Sequence, residues 1–338
     1  MMRQKTIAAV MLACVLTVSI VYLVIPSTRP TSRCPIQPDT RIVIYGGTNS
    51  GQAWPLGGVS VVTYGWIKHF FDWWESYDPA VKFVFLNSTN LNSDCRLSDY
   101  PNVRLYVQPG GDAYYQQLSL GVTGKSNILD FLDKDGAYLG ICAGWYYAAK
   151  DYFWAGAFYN WPNLLGKFPT VEGSISEIAE YPDYNMTRMS NGLEMIYYGG
   201  PTRGWRQTPH DVPGTVLMTF ASIPGNLPAA VKSEKMLLIS AHPEAYEDYG
   251  IKGLTTEQRI ANYGWLASAV NDVSGMHFRV PQSTLSGTLG SFEQGYGPTP
   301  NVSDGEGFKG LTPRFPTVWL VAAACHLVIR PQPRKQVA

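Results

Sequence analysis

The sequence lacks an excess of charge of either sign, because 26 lysines and arginines balance 26 aspartates and glutamates. Without a basic field there is no electrostatic basis for nucleic-acid binding, and without an acidic block there is none for a solvating tail. The chain has only five cysteines and five histidines, and no His, Cys, Asp and Glu cluster has metal-ligand spacing. We find no internal repeat. We therefore predict no nucleic-acid partner, no metal and no cofactor.

An uncharged apolar run, Ile7–Ile25, lies near the N-terminus and follows Arg3 and Lys5. Its length is close to the roughly 20 residues that cross a bilayer as a helix, and no clean small-residue cleavage site follows it. Two interpretations of residues 1–27 stay open. They are an uncleaved signal anchor, which would contact the membrane through residues 7–25, or a cleaved signal peptide. Both predict a single-pass membrane protein or a secreted protein, with the globular part outside the cytosol.

Further sequence features agree with export. Cys34 and Cys95 flank the start of the globular part and could form a disulfide in an oxidising compartment. Three N-x-[ST] sequons are candidate glycosylation sites, at Asn87, Asn185 and Asn301.

The pattern of apolar runs predicts one large domain at residues 40–275. Residues 28–39 form a linker before it, and residues 276–338 form a Gly, Ser, Thr and Pro-rich tail with a short apolar segment. Continuously apolar strands alternate with helical patterns, which predicts a parallel sheet covered by helices on both faces. The predicted strands are Arg41–Tyr45, Lys82–Leu86, Val103–Val107, Ala137–Ile141, Leu193–Tyr198, Val216–Ala221 and Met236–Ser240. The predicted helices are Val61–Trp74, Ser126–Asp133, Ala143–Lys150 and Thr256–Asp272.

A candidate nucleophile lies in Gly140–Gly144, where a strand runs directly into a helix through small residues. Such an elbow lifts its central side chain, here Cys142, out of the sheet, as in hydrolases that use serine. A cysteine at a helix N-terminus is also favoured as the thiolate. The alternative is a small-residue turn with an inert buried cysteine.

Two more segments follow predicted strands. His242 could act as general base to the thiol, with Glu244 orienting its ring. Gly110 and Gly111 could expose backbone N–H groups that form an oxyanion hole together with the N–H of Ala143. In a parallel sheet all three segments lie at the carboxyl ends of strands, where open α/β sheets place their sites.

These motifs resemble a known superfamily. P-G-G, then G-x-C-x-G, then H-P-E resembles the class I glutamine amidotransferase-like fold, a flavodoxin-like parallel sheet with helices on both faces. The strings P-G-G-D, G-I-C-A-G-W-Y-Y and Y-Y-G-G-P resemble the biotin-protein ligase N-terminal domain family. The resemblance covers roughly residues 40 to 275. It implies that Cys142 is the nucleophile, His242 the base and Glu244 the orienting residue.

Candidate substrate contacts are Tyr146, in an aromatic-rich stretch after the elbow, and Arg203, which could bind a carboxylate. Two functional hypotheses stay open. The first is a thiol-dependent hydrolase or amidotransferase acting on an unknown small-molecule or peptide amide outside the cytosol. The second is a non-catalytic ligand-binding module of the same fold. The complete Cys, His and Glu set favours the first.

Overall fold

The computed structural model describes residues 34–47, 57–93, 95–154, 156–203, 214–225, 227–246 and 253–281. The predicted N-terminal hydrophobic helix, residues 28–33 of the linker and the tail from residue 282 lie outside the described part. Within it, no helix is both long enough and apolar enough to cross a bilayer.

The strands along the described chain are β1 (Ile42–Tyr45), β2 (Phe83–Leu86), β3 (Leu105–Gln108), β4 (Ala137–Ile141), β5 (Tyr152–Trp154), β6 (Ala157–Tyr159), β7 (Val171–Gly173), β8 (Asn185–Arg188), β9 (Glu194–Tyr197), β10 (Thr202–Arg203), β11 (Thr215–Thr219), β12 (Pro228–Ser233) and β13 (Met236–Ile239). The helices are α1 (Val61–Tyr77), α2 (Ser88–Asn92), α3 (Ala113–Asp133), α4 (Ala143–Ala148) and α5 (Thr256–Ser274).

The central sheet has seven strands in the order β11-β12-β13-β4-β3-β1-β2. The strands from β13 to β2 pair in parallel, whereas β11 and β12 form an antiparallel edge. The parallel part follows the strand order of flavodoxin-like sheets. The predicted α/β fold with a largely parallel sheet is confirmed, and the antiparallel edge is a departure from the all-parallel prediction.

Helices cover both faces of this sheet, as predicted. Successive side chains of β1 point to opposite faces. Ile42 and Ile44 pack in one core with α1 and α5. Val43 and Tyr45 pack in a second core with α3 and α4. The two cores fix the carboxyl ends of β3, β4 and β13 side by side.

Helix α3 is longer than the sequence indicated. It begins at Ala113, whereas helical spacing predicted a start at Ser126. Asp112 caps its N-terminus by accepting a hydrogen bond from the N–H of Tyr114 at 2.8 Å. Gly121 interrupts the helix with φ 54° and ψ −161°. The first half buries Gln116 and Gln117, so its buried face does not show as an apolar pattern in the sequence.

Short strands outside the central sheet build a second layer near the carboxyl ends. Strands β10, β7, β5 and β6 form a four-stranded sheet, and β8 pairs with β9. The predicted strand at Leu193–Tyr198 is therefore a strand, but it lies outside the central sheet. An isolated bridge joins Ile196 of β9 to His242.

A disulfide joins Cys34 to Cys95, with their Cα atoms 5.2 Å apart and a sequence separation of 61 residues. By loop-closure entropy, a cross-link over such a length stabilises the fold by about 4 kcal/mol. Of the sequons, Asn185 is exposed in β8, while Asn87 is half-buried and caps α2. Asn301 lies outside the described residues.

Candidate active site

The backbone at Cys142, the elbow residue, adopts an unusual conformation. Cys142 has φ 52° and ψ −107° between β4 and α4. A Cβ on Gly144 would lie 2.0 Å from the carbonyl oxygen of Gln108, and one on Gly140 would lie 2.7 Å from that of Gly144. The small residues are therefore required by close backbone approach. A positive φ at a non-glycine residue costs about 1–3 kcal/mol, and such strain is concentrated at functional sites.

His242 and Glu244 form a wholly buried pair directly after β13. The Nδ1 atom of His242 lies 2.9 Å from Oε1 of Glu244, and both side chains are 0% exposed. The backbone N–H of His242 donates to the carbonyl of Ile196 at 2.8 Å. The ring of Trp66 meets the imidazole edge-on, with centroids 5.2 Å apart. Glu244 therefore fixes the ring so that Nε2 is available to a reacting group.

The protonation of His242 depends on its two neighbours. Burial lowers the pKa of His242, but the charge of Glu244 and the adjacent Cys142 outweigh burial and raise the pKa to about 10. In the described part, Nε2 of His242 and Oε2 of Glu244 have no hydrogen-bond partner. A buried imidazole that keeps an unused nitrogen beside a thiol is arranged to exchange a proton with it.

The thiol of Cys142 is 5% exposed, and its Sγ lies 3.5 Å from the carbonyl oxygen of Tyr198. In this arrangement the thiol donates to that carbonyl, while Cys142 also lies near enough to His242 to raise the pKa of the imidazole. Catalytic hydrogen bonds are often loose without substrate.

The loop after β3 lies against the histidine. A Cβ on Gly110 would lie 2.8 Å from Cε1 of His242, so Gly110 directly faces the ring. Gly111 has φ 145°, and a Cβ there would lie 2.0 Å from the carbonyl oxygen of Gly58. Ala143 is the first residue of α4, and the first N–H groups of a helix have no acceptor within it. The structure thus brings Gly110 and Ala143 to the same site as Cys142 and His242.

The two predicted substrate contacts have different surroundings. Tyr146 is 5% exposed, and its hydroxyl donates to the carbonyl of Gly199 at 3.1 Å, so that group is used within the fold. Arg203 is the last residue of β10 and pairs with Val171. Its side chain lies outside the described part.

Sequence reasoning missed two residues of α1 that support the site. The hydroxyl of Thr63 donates to the carbonyl oxygen of Gly110 at 2.7 Å, which holds the glycine loop. Trp66, one turn later, packs on His242. Their spacing of three residues places them on one face of the helix, but no local motif marks that face as facing a site.

No group of three or more potential metal ligands occurs among the residues that the structure describes.

Comparisons with known proteins agree with the resemblance inferred from the motifs. The family model "Biotin-protein ligase, N terminal" matches residues 98–157, which include β3, the glycine loop and the elbow. Among solved structures, a glutamine amidotransferase is similar over 69% of this chain and 98% of its own, with 16% identity and a TM-score of 0.45. A glutamine amidotransferase from Thermotoga maritima is similar over 71% and 86%, with 15% identity and a TM-score of 0.34. A ThuA-like protein from Bacteroides uniformis is similar over 68% and 93%, with 10% identity and a TM-score of 0.40. No curated protein matches the chain.

Proposed function

We propose that this chain is a thiol-dependent amidohydrolase of the class I glutamine amidotransferase-like type, with Cys142 as nucleophile, His242 as base and Glu244 as orienting residue. One observation carries the proposal. The fully buried His242 is held by Glu244 through Nδ1 and keeps Nε2 unpartnered beside a cysteine on a strained elbow. Burying a charged pair costs desolvation free energy, so such a pair is weak support for stability and stronger support for function.

The residues can perform each step of amide hydrolysis. The raised pKa of His242 favours the state in which Nε2 already holds the thiol proton, and the resulting thiolate of Cys142 attacks the amide carbonyl carbon. The N–H groups of Gly111 and Ala143 are the proposed donors to the oxyanion. The imidazolium then gives its proton to the leaving amine as the C–N bond breaks, which leaves a thioester. Water, deprotonated by His242, attacks the thioester and releases a carboxylic acid and the thiol.

The second candidate is a non-catalytic binding module that keeps the elbow for structural reasons. It is favoured by the thiol, which is 5% exposed and already donates to the carbonyl of Tyr198. A cysteine whose thiol donates to the carbonyl of Tyr198 can have a structural role that does not involve His242 as a base. The two functions therefore differ in whether the thiol reacts.

The rate at which Cys142 is alkylated as a function of pH distinguishes the hydrolase from the binding module. We expect iodoacetamide to label Cys142 at a pH of about 6 to 7, well below the value of about 8.5 at which a free thiol ionises. The measurement is the rate of mass gain on the peptide that contains residue 142, compared with glutathione under the same conditions. A cysteine that reacts no faster than glutathione throughout would leave the binding module as the better account.

We further propose that the globular domain is exported. The Cys34–Cys95 disulfide supports an oxidising compartment. The uncharged apolar run at residues 7–25 has the composition of a signal anchor or signal peptide. Asn185 is exposed, and its amide nitrogen, the atom that would carry the glycan, donates to the carbonyl of Ile178 at 3.1 Å, whereas Asn87 is half-buried. Asn185 is therefore the more accessible acceptor of the two.

Expression in a eukaryotic host should therefore give a glycosylated product. We expect peptide N-glycosidase to increase the gel mobility of the wild type, and Asn185→Gln to remove one glycan. Asn87→Gln is the matched comparison, and it should reduce the amount of attached glycan less than Asn185→Gln does. Material retained on membranes after carbonate extraction would indicate the anchor, and material in the medium the cleaved peptide. An unglycosylated, freely cytosolic product would show that export was wrongly inferred.

A further inference from the structure

The peptide between Gly110 and Gly111 carries one of the two proposed oxyanion donors, the N–H of Gly111. Glycine lacks a Cβ, so a peptide plane with glycine on both sides rotates more easily than others. A rotation by half a turn would put the carbonyl oxygen in the place of the N–H, where it would repel an oxyanion. The orientation of this plane therefore decides whether the loop can stabilise negative charge.

A chain of hydrogen bonds at the start of α1 fixes that plane. The Oγ atom of Ser60 accepts the backbone N–H of Thr63 at 3.1 Å, and the two hydroxyl oxygens lie 2.9 Å apart. The Thr63 hydroxyl contacts the carbonyl of Ser60 at 3.2 Å, but its bond to the carbonyl of Gly110 is shorter, at 2.7 Å. Because the single Thr63 proton goes to Gly110, Ser60 supplies the proton between the two hydroxyls. Thr63 is 2% exposed, so water hardly competes for this bond.

Thr63 also limits where Gly110 can lie. A Cβ on Gly110 would lie 2.9 Å from Cγ2 of Thr63 and 2.8 Å from Cε1 of His242. That side of Gly110 is therefore closed by the Thr63 methyl group and by the imidazole. The preceding carbonyl, that of Pro109, accepts from Nε2 of Gln116 at 2.9 Å. The loop is thus held on both sides of the Gly110 residue.

The N–H of Gly111 points away from α1. The Gly110–Gly111 peptide is trans, so its N–H is opposite to the carbonyl that points to Thr63. The N–H of the next residue, Asp112, donates to the carbonyl of Gly58 at 2.7 Å, and successive N–H groups of a strand-like segment point to opposite sides. Among the described residues the N–H of Gly111 has no acceptor. It is therefore available to an oxygen of the substrate.

We infer that Thr63 is a positioning residue for the oxyanion hole. Its hydroxyl holds the Gly110 carbonyl, which keeps the N–H of Gly111 directed at the elbow, where the oxyanion of a substrate attacked by Cys142 forms. This inference deepens the proposed function and rests on it, because the role of Thr63 exists only within that reaction. Thr63 acts through the Gly110–Gly111 peptide and does not touch the substrate.

Two substitutions separate the hydroxyl of Thr63 from its methyl group. Thr63→Val keeps the branched shape and removes the donor, whereas Thr63→Ser keeps the donor and removes the methyl. Thr202→Val is the matched control, because Thr202 is 5% exposed and its hydroxyl also donates to a backbone carbonyl, that of Pro228 at 3.1 Å. Pro228 belongs to β12, and β13 separates β12 from β4 in the sheet.

Two probes, p-nitrophenyl acetate and iodoacetamide, report on different parts of the site. With the ester, the sulfur of Cys142 attacks the acetyl carbonyl, an oxyanion forms, and p-nitrophenolate leaves, which yields an acetyl thioester. Iodoacetamide reacts at a saturated carbon with loss of iodide, and no oxyanion forms. The first rate therefore depends on the thiolate and the oxyanion hole, and the second on the thiolate alone. Nitrophenolate release by Cys142→Ala is the background to subtract.

We expect Thr63→Val to lower the rate at which the ester acetylates Cys142 by about tenfold to a hundredfold. Removal of an oxyanion donor itself lowers rates by about a hundredfold to a thousandfold, and a misdirected donor should cost less. The iodoacetamide rate of Thr63→Val should equal that of the wild type. Thr63→Ser should be acetylated at close to the wild-type rate, and Thr202→Val should change neither rate.

Acetylation of Thr63→Val at the wild-type rate would overturn this inference and leave the hydrolase standing. Equal losses in Thr63→Val and Thr63→Ser, equal losses in Thr63→Val and Thr202→Val, or a parallel fall in the iodoacetamide rate would also overturn it, since each indicates a packing role. The same holds if iodoacetamide labels the wild type but the ester does not acetylate it above background. A wild-type thiol that reacts with neither probe would reject the hydrolase, and the inference with it.

Discussion

Cys142→Ala is expected to lower amide hydrolysis by at least about a thousandfold and to remove iodoacetamide labelling of the peptide that contains residue 142. Alanine keeps the Cβ and adds no volume, so β4 and α4 should still meet at the elbow. Far-UV circular dichroism should be unchanged. The free energy of unfolding should change by about 1 kcal/mol at most, because the side chain removed is small.

Cys142→Gly is the companion variant, because glycine adopts positive φ without a Cβ penalty. We expect the glycine protein to be more stable than the alanine protein by about 1 kcal/mol in denaturant unfolding, since the backbone strain at φ 52° is relieved. Replacing alanine by glycine normally lowers the free energy of unfolding. A glycine variant that is more stable than the alanine variant would therefore indicate that the backbone at position 142 is strained. A glycine variant that is less stable than the alanine variant would contradict the strained-nucleophile interpretation. Iodoacetamide labelling of the peptide that contains residue 142 would also contradict it if the labelling persisted in Cys142→Ala.

Glu244→Gln is expected to lower hydrolysis by about a hundredfold to ten thousandfold and to change how stability depends on pH. The raised pKa of His242 means that the folded state holds its proton more tightly than the unfolded state. Below the unfolded value of about 6.5 this stabilisation is fully present. As the pH rises further, the unfolded chain loses the proton first, and stability falls until the folded value of about 10 is passed.

The measurement is the free energy of unfolding between pH 6 and pH 10. For one proton the wild type should lose up to about 1.4 kcal/mol per pH unit in this window, and Glu244→Gln should flatten the slope. Glu180→Gln and His277→Ala, both at exposed positions, are the controls and should keep the wild-type slope. Identical slopes in Glu244→Gln and the wild type would mean that the pair does not hold a proton.

The strands that carry the site could be predicted because they are buried on both faces. Strands β4 and β13, which are buried throughout and precede Cys142 and His242, agree with apolar runs to within one residue at each end. The carboxyl ends of parallel strands meet at one edge, so the position of Cys142 relative to His242 followed from topology. Helix α5 was predicted because Ile260, Leu266 and Val270 recur at helical spacing. In the structure a capping box of Thr255 and Gln258 starts it.

The short strands of the second layer could not be predicted from the sequence, and the reason is physical. Strands β5, β6 and β7 have three residues each, too few to show a period of two. In β5 the side chains are aromatic on both faces, so the pattern there does not separate inside from outside. Contacts between rings distant in sequence, such as that between Trp154 and Tyr181, therefore appear only in the folded chain.

The backbone at Cys142 also limits which nucleophiles could replace cysteine at this position. Serine has the same shape with one heavy atom beyond Cβ, so an exchange of thiol for hydroxyl is sterically open at φ 52°. Threonine has two heavy atoms on Cβ, and β-branched residues are outliers at positive φ. A descendant of this fold could thus pass between thiol and primary-alcohol chemistry by one substitution, while secondary-alcohol chemistry would require a different elbow.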